Sequence, residues 1–171
     1  YSLLADSPDG IPRCVAAGWT MELVAMNVPG STSTATVALA LDASGRPVVA
    51  YYEYPNVVVA VRGASGFTRT TVATTSTSLV TVKRLVVDAR GNAHVIYRDY
   101  KSVGSFDSTY GWYYLRLAPD GAVSMRVELG DERTFGEALG IGLAADGNGD
   151  AHVAYVSYGG SAYAAYYRRT Y

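Results

Sequence analysis

One pattern constrains this chain more than any other: Leu-x-x-Asp-x-x-Gly-x-x-x-Val-x-Tyr, present three times without a gap. Leu39, Asp42, Gly45, Val49 and Tyr51 form the first copy. Leu85, Asp88, Gly91, Val95 and Tyr97 form the second, and Leu143, Asp146, Gly149, Val153 and Tyr155 the third. Agreement at five positions in three copies marks an internal repeat, one supersecondary unit built several times over. The shared aspartate and glycine suit a tight hairpin turn. A carboxylate accepts from nearby backbone N–H groups, and glycine tolerates positive φ.

Around each copy the apolar periodicity is two rather than 3.6, so the unit is made of strands. In the first repeat the expected strands are a, Ala38–Leu41; b, Pro47–Tyr52; c, Val57–Val61; and d, from Gly66 to Thr74. The second repeat supplies Arg84–Val87, Ala93–Arg98, Trp112–Leu117 and Val123–Leu129. The third supplies Ile141–Ala145, Ala151–Val156 and a strand from Tyr163, with d missing. Upstream, Gly18–Ala25 aligns with Gly66–Ala73 and reads as strand d of an earlier unit, with Tyr1–Asp6 as its strand c.

The copies recur 46 and then 58 residues apart, counted from Tyr51 to Tyr97 to Tyr155. Four antiparallel strands at such a period are the signature of a β-propeller blade. Small residues at Ala38, Ala40, Gly140 and Gly142 fit the crowded innermost strand. The expected fold is therefore all-β, blades of four antiparallel strands from an incomplete propeller. Its divisions are 1–30 (end of a blade), 36–75 (blade), 82–130 (blade) and 137–171 (partial blade). Closed propellers have about four to eight blades. The chain is accordingly expected to be part of a longer protein, its open edges pairing with the remaining blades or another copy.

Charge and composition exclude some partners. A net charge of -1 gives no electrostatic case for nucleic acid or an anionic membrane. No apolar run approaches the roughly 18 residues of a membrane helix. The single cysteine, Cys14, excludes an intrachain disulfide and a multi-cysteine metal site, and reads as a small buried hydrophobe.

Leu41 to Tyr52, with its Asp-Ala-Ser-Gly turn and Val-Val-Ala-Tyr-Tyr strand, resembles a bacterial propeller repeat. So do Asp146 to Tyr155 and the Gly-Trp-Thr and Gly-Phe-Thr strand openings. NHL-type repeats are a poorer match, through Val87 to Val95 and Leu117 to Gly121. The first resemblance, which covers most of the chain, implies a secreted or cell-surface bacterial protein. It is distantly akin to the Asp-box propellers of sialidases and to fucose-binding lectins, although no copy holds the full Asp-box. It implies a non-enzymatic recognition module for carbohydrate. The alternatives are a fragment of a sialidase-like glycoside hydrolase and a scaffold that only spaces other domains.

Candidate ligand contacts are residues that break the repeat. Tyr54, Tyr100, Tyr110, Trp112 and Tyr158 lie at or near b–c connections. The connection from Tyr100 to Gly111 is longer than its counterpart at Pro55-Asn56, and holds Lys101 and Asp107, with Asp99 beside it. Aromatic faces next to carboxylates suit stacking on a sugar ring and bonding its hydroxyls. Arg84 stands where other copies have Ala38 and Gly142, a position that would reach the central channel. The sialidase likeness would call for two more such arginines and a tyrosine–glutamate pair. Glu137 and the Asp131-Glu132-Arg133 segment could contribute carboxylates, at no fixed separation.

His94 and His152 share one repeat position, filled by Val48 in the first copy. That assigns them to a structural slot on strand b, with the imidazole bonding a neighbouring blade; metal ligation or base catalysis is the competing reading. Asp146, Asn148 and Asp150 match the opening of a calcium loop. Ala151 and Ser157 stand where glycine and a bidentate glutamate belong, so a polar turn competes with a Ca²⁺ site.

Overall fold

The computed structural model describes residues 2–4, 13–15, 22–25, 36–75, 79–102, 108–131, 140–158 and 163–170. Every regular element among them is a β-strand, and every pairing is antiparallel. β1 (Ser2–Leu4) and β2 (Arg13–Val15) pair with each other, and β3 (Val37–Leu41), β4 (Pro47–Glu53), β5 (Asn56–Gly63) and β6 (Gly66–Thr74) form the first blade sheet in that order. β7 (Thr81–Val87), β8 (Ala93–Ser102), β9 (Ser108–Leu117) and β10 (Val123–Asp131) form the second. β11 (Ile141–Ala145), β12 (Ala151–Tyr158) and β13 (Tyr163–Arg169) form a third sheet of three. These sheets are propeller blades, and no complete ring closes among the described residues. Among the described residues no helix is long and apolar enough to cross a membrane.

The repeated turn is the same object each time. The backbone N–H of Asp42, Asp88 and Asp146 each donates to the carbonyl of the residue four places on, and each aspartate carbonyl accepts from the glycine three places on, at 2.9–3.0 Å. Gly45, Gly91 and Gly149 hold φ values of 77°, 83° and 79°. That is a type I turn closed by a left-handed glycine. One carboxylate oxygen of each aspartate accepts the backbone N–H two and four residues on, at 2.8–3.0 Å. Ala118 to Ala122 repeats the backbone scheme at a c–d turn, with Asp120 as the carboxylate.

Alternation along the strands gives each blade two apolar faces. One face of the first blade, with Ala50, Val57 and Val59, packs on Leu85, Val95 and Leu115 of the second. The second blade's opposite face, with Ile96, Trp112 and Tyr114, packs on Ile141, Val153 and Tyr155 of the third. β7 touches β3 on one side and β11 on the other, so the first strands of the blades lie together. The repeated tyrosines fill these junctions: Tyr97 stacks on Tyr113, and Tyr155 on Tyr166, both with centroids 5.2 Å apart. Tyr51 instead faces Val58 across the ladder and accepts a bond from Arg69 Nε at 2.7 Å.

Three expectations are corrected. Ser2–Leu4 pairs with Arg13–Val15, Leu3 opposite Cys14, and not with a strand at Gly18–Ala25. A shorter loop closes at lower entropic cost. Glu22–Ala25 is not strand, and among the described residues no strand pairs with it; Gly18–Met21 lie outside the described residues. Finally, most of the expected loop from Tyr100 to Gly111 is strand, with pairing running out to Ser102 opposite Ser108.

Gly149 shows how the turns set blade spacing. A Cβ there would lie 2.8 Å from Asp88 Oδ2 of the neighbouring blade, an oxygen already held by Asn92. A Cβ at Gly45 would meet nothing within 4 Å. Gly45→Ala should therefore cost only the left-handed strain, about 1 kcal/mol. Gly149→Ala should cost about 2–3 kcal/mol because a held carboxylate must also move. Urea denaturation of both variants measures the difference; equal losses would show that the turns do not fix the junction.

Candidate functional site

In the first blade the b–c connection is the two-residue turn Tyr54-Pro55, joined by a cis peptide bond. In the second blade the same two strands continue, so an arm of four further pairs rises past Arg98–Trp112. Alternation sets Arg98, Tyr100, Tyr110 and Trp112 on one face and Asp99, Lys101, Thr109 and Gly111 on the other. Tyr100 and Tyr110, directly opposite, meet edge to face with centroids 5.6 Å apart. The Arg98 guanidinium carbon lies 4.0 Å over the Tyr110 ring, a cation–π contact. Both tyrosines are half-buried.

Trp112, expected as a ligand contact, is 1 % exposed and belongs to the core against the third blade. It anchors the arm's base. Asp99 points to the opposite face, toward the first blade. Burial raises the hydroxyl pKa values of Tyr52, Tyr97 and Tyr113, and the charge of Asp99 adds to each rise. Lys101 Nζ donates to Glu128 on β10 at 2.7 Å. Gly111 leaves room for the Tyr113 ring, whose hydroxyl would lie 2.9 Å from a Cβ.

The other candidates do not join this cluster. Tyr54 is exposed at the first blade's own turn. Arg84 follows a register shift on β7, lies at the surface, and donates from Nη1 to the Lys83 carbonyl at 2.7 Å. Tyr158 ends β12 opposite Tyr163, its side chain outside the described residues, as is Asp107. Glu137 and the Glu132-Arg133 segment lie outside them as well. Sequence reasoning missed Arg98, which only strand alternation past Tyr97 places beside Tyr110.

A second cluster occurs twice. His94 lies 2.8 Å through Nδ1 from the Tyr114 hydroxyl and 3.2 Å through Nε2 from Asp88 Oδ2. His152 repeats this with Tyr167 at 2.7 Å and Asp146 at 3.2 Å. These imidazoles thus bond within their own blade, correcting the expected bond to a neighbour. A carboxylate only accepts, so Nε2 carries the proton and Nδ1 accepts the tyrosine O–H. In the first blade the histidine position is Val48, and the tyrosine position opposite Ala50 is Val59. The pair is exchanged as a pair, the signal that sequence reading could have used. His94 and Asp88 side chains are wholly enclosed, so this copy acts as a polar strut inside the blade.

The oxygens of the expected calcium loop face hydrogen-bond donors. Asp146 Oδ1 takes its own turn's N–H groups, and Oδ2 faces His152 and Arg169. Asp150 accepts from Arg169 at 2.7 Å. Among the described residues no three His, Cys, Asp or Glu side chains converge as metal ligands. No protein-family model and no curated protein matches this sequence.

Burial holds the His94 pKa below its ordinary 6.5, against the opposing pull of Asp88. Tyr114 is pushed up to about 12 by burial and keeps its proton. The unfolded chain therefore takes up protons below pH 6.5 that the folded chain resists, and stability falls with pH from there through the lowered folded pKa. Melting temperature should decline between pH 7 and about pH 5. The double variant His94→Val, Tyr114→Val, which installs the first blade's pair, should be less stable at pH 7 but flatter over that window. An unchanged slope would contradict the assignment.

Proposed function

We propose that this chain is a non-enzymatic recognition module that binds carbohydrate at the surface of a bacterial cell, with the β8–β9 arm as its contact. The observation that carries the reading is the Tyr100–Tyr110 pair with Arg98 over Tyr110. It stands on the one b–c connection among the described residues that departs strongly from the repeat. Aromatic rings present an apolar surface to sugar C–H groups, and a guanidinium donates in the plane to hydroxyl or carboxylate oxygens. Cell-surface placement and the sugar class come from the resemblance of the repeats. The lack of a catalytic role rests on how the acid–base groups are used. The Asp–His–Tyr strut is sealed in the second blade, and the turn aspartates are occupied by backbone donors.

A glycan array probed with the intact chain tests the proposal. Hits should weaken about tenfold or more in Tyr110→Ala and Tyr100→Ala, the loss usual for a contact residue that matters. Tyr54→Ala, on another blade, should leave them unchanged. An array without hits would place the scaffold reading first.

A further inference from the structure

The two blade junctions are built alike and filled differently. Between the second and third blades, the His94 and Tyr114 rings stand beside the turn carboxylate Asp88. Between the first and second, the same register positions are Val48 and Val59, both buried. Beside them lies a cavity of ≈ 80 Å³, walled by Val61, Val87, Ala93 and Leu117, with Asp42 and Arg46 as its charged side chains. All the lining residues belong to the first two blades.

The glycine across each junction reflects the difference. A Cβ at Gly149 would lie 2.8 Å from Asp88 Oδ2, so the third blade's turn closes on the strut's carboxylate. One at the equivalent Gly91 would meet only Pro119 of its own blade within 4 Å, and no atom of Asp42.

The other two turn carboxylates show what such a place accepts. Asp88 Oδ2 takes Asn92 Nδ2 at 2.7 Å and lies 3.2 Å from His94 Nε2. Asp146 Oδ2 takes Arg169 at 3.3 Å and lies 3.2 Å from His152 Nε2. In both, one oxygen accepts an imidazole N–H beside a second donor, which uses its two lone-pair sites. Asp42 Oδ2 accepts from Arg46 Nε at 2.7 Å, and Val48 stands at the position that carries those imidazoles.

We infer that the cavity between the first two blades is a binding site for a small imidazole-type ring, which donates its N–H to Asp42 Oδ2 beside Arg46 and lies against Val48 and Val59. The Thr70 hydroxyl, opposite Val59 on β6, supplies the ring's other nitrogen with the donor that Tyr114 supplies to His94 Nδ1. A volume of ≈ 80 Å³ equals roughly two or three waters at about 30 Å³ each, enough for a five-membered ring and too little for a sugar. The site is therefore separate from the β8–β9 arm and independent of the carbohydrate reading.

Nuclear magnetic resonance of the isotope-labelled chain, titrated with imidazole at about pH 8 where the free ring is neutral, tests the inference. Saturable shifts should appear at the Val48, Val59 and Val87 methyls and at the Asp42 and Gly91 amides. Melting temperature should rise with imidazole concentration. Furan, a five-membered ring without an N–H, should bind at least several-fold more weakly. The double variant Val48→His, Val59→Tyr, which installs the second blade's rings in the cavity, should lose the shifts. Val59→Ile, which adds a single carbon to the same wall, is the milder block and should weaken binding several-fold. Shifts that never saturate or that spread over the whole chain would overturn the inference. So would equal binding of furan, or binding left unchanged in Val59→Ile.

Discussion

Each of the three blades is apolar on both faces, and the burial of one face against the next blade is the interaction on which the rest depends. A four-stranded sheet covered on one side only leaves large side chains in water, at roughly 25 cal/mol for each Å² of apolar surface. The second blade meets the requirement on both sides. Val95, Ile96 and Tyr97 are consecutive on β8, point alternately to the first and third blades, and are all fully buried. The outer face of the first blade is covered in part, Val24, Ala25 and Phe67 packing on Val49, Tyr51, Val58 and Ala60 while Leu39 stays exposed, and Tyr167 is exposed on the outer face of the third.

Polar chemistry in the repeat serves that stacking. The turn aspartate spends one oxygen on its own backbone, which fixes the a–b hairpin. Its second oxygen is free to choose a partner: Arg46 in the first blade, Asn92 with His94 in the second, His152 with Arg169 in the third. Hydrogen bonds from Ser44 and Arg46 hold the Asp42 carboxyl well below its ordinary range, and those from Asp150 and His152 lower that of Asp146. One turn therefore tolerates either a histidine–tyrosine strut or a valine pair beneath it. Where Val48 and Val59 replace the strut, they line a cavity of ≈ 80 Å³ between the first two blades.

What was legible in the sequence was local. Strand order, the identity of the turn and the third blade's three strands follow from period-two patterning and from Asp and Gly at fixed offsets, which act within a few residues. The arm was less legible, because Gly104, Ser105 and Gly111 read as loop formers. Cross-strand pairing at Tyr100–Tyr110 nonetheless carries the ladder up to Ser102–Ser108. The role of Trp112 depends on a third blade far along the chain, and that of Arg98 on which face of β8 it occupies. Neither is written in its immediate neighbours.

Amide hydrogen exchange measured strand by strand tests the central claim most directly. If blade-on-blade burial carries stability, the paired amides of β8 and β9, covered on both faces, should exchange slowest. Those of β3, whose outer face is open, should exchange faster than those of β7, which occupies the same place in a covered blade. Equal protection of β3 and β7, or slowest exchange in the first or third sheet, would contradict the account.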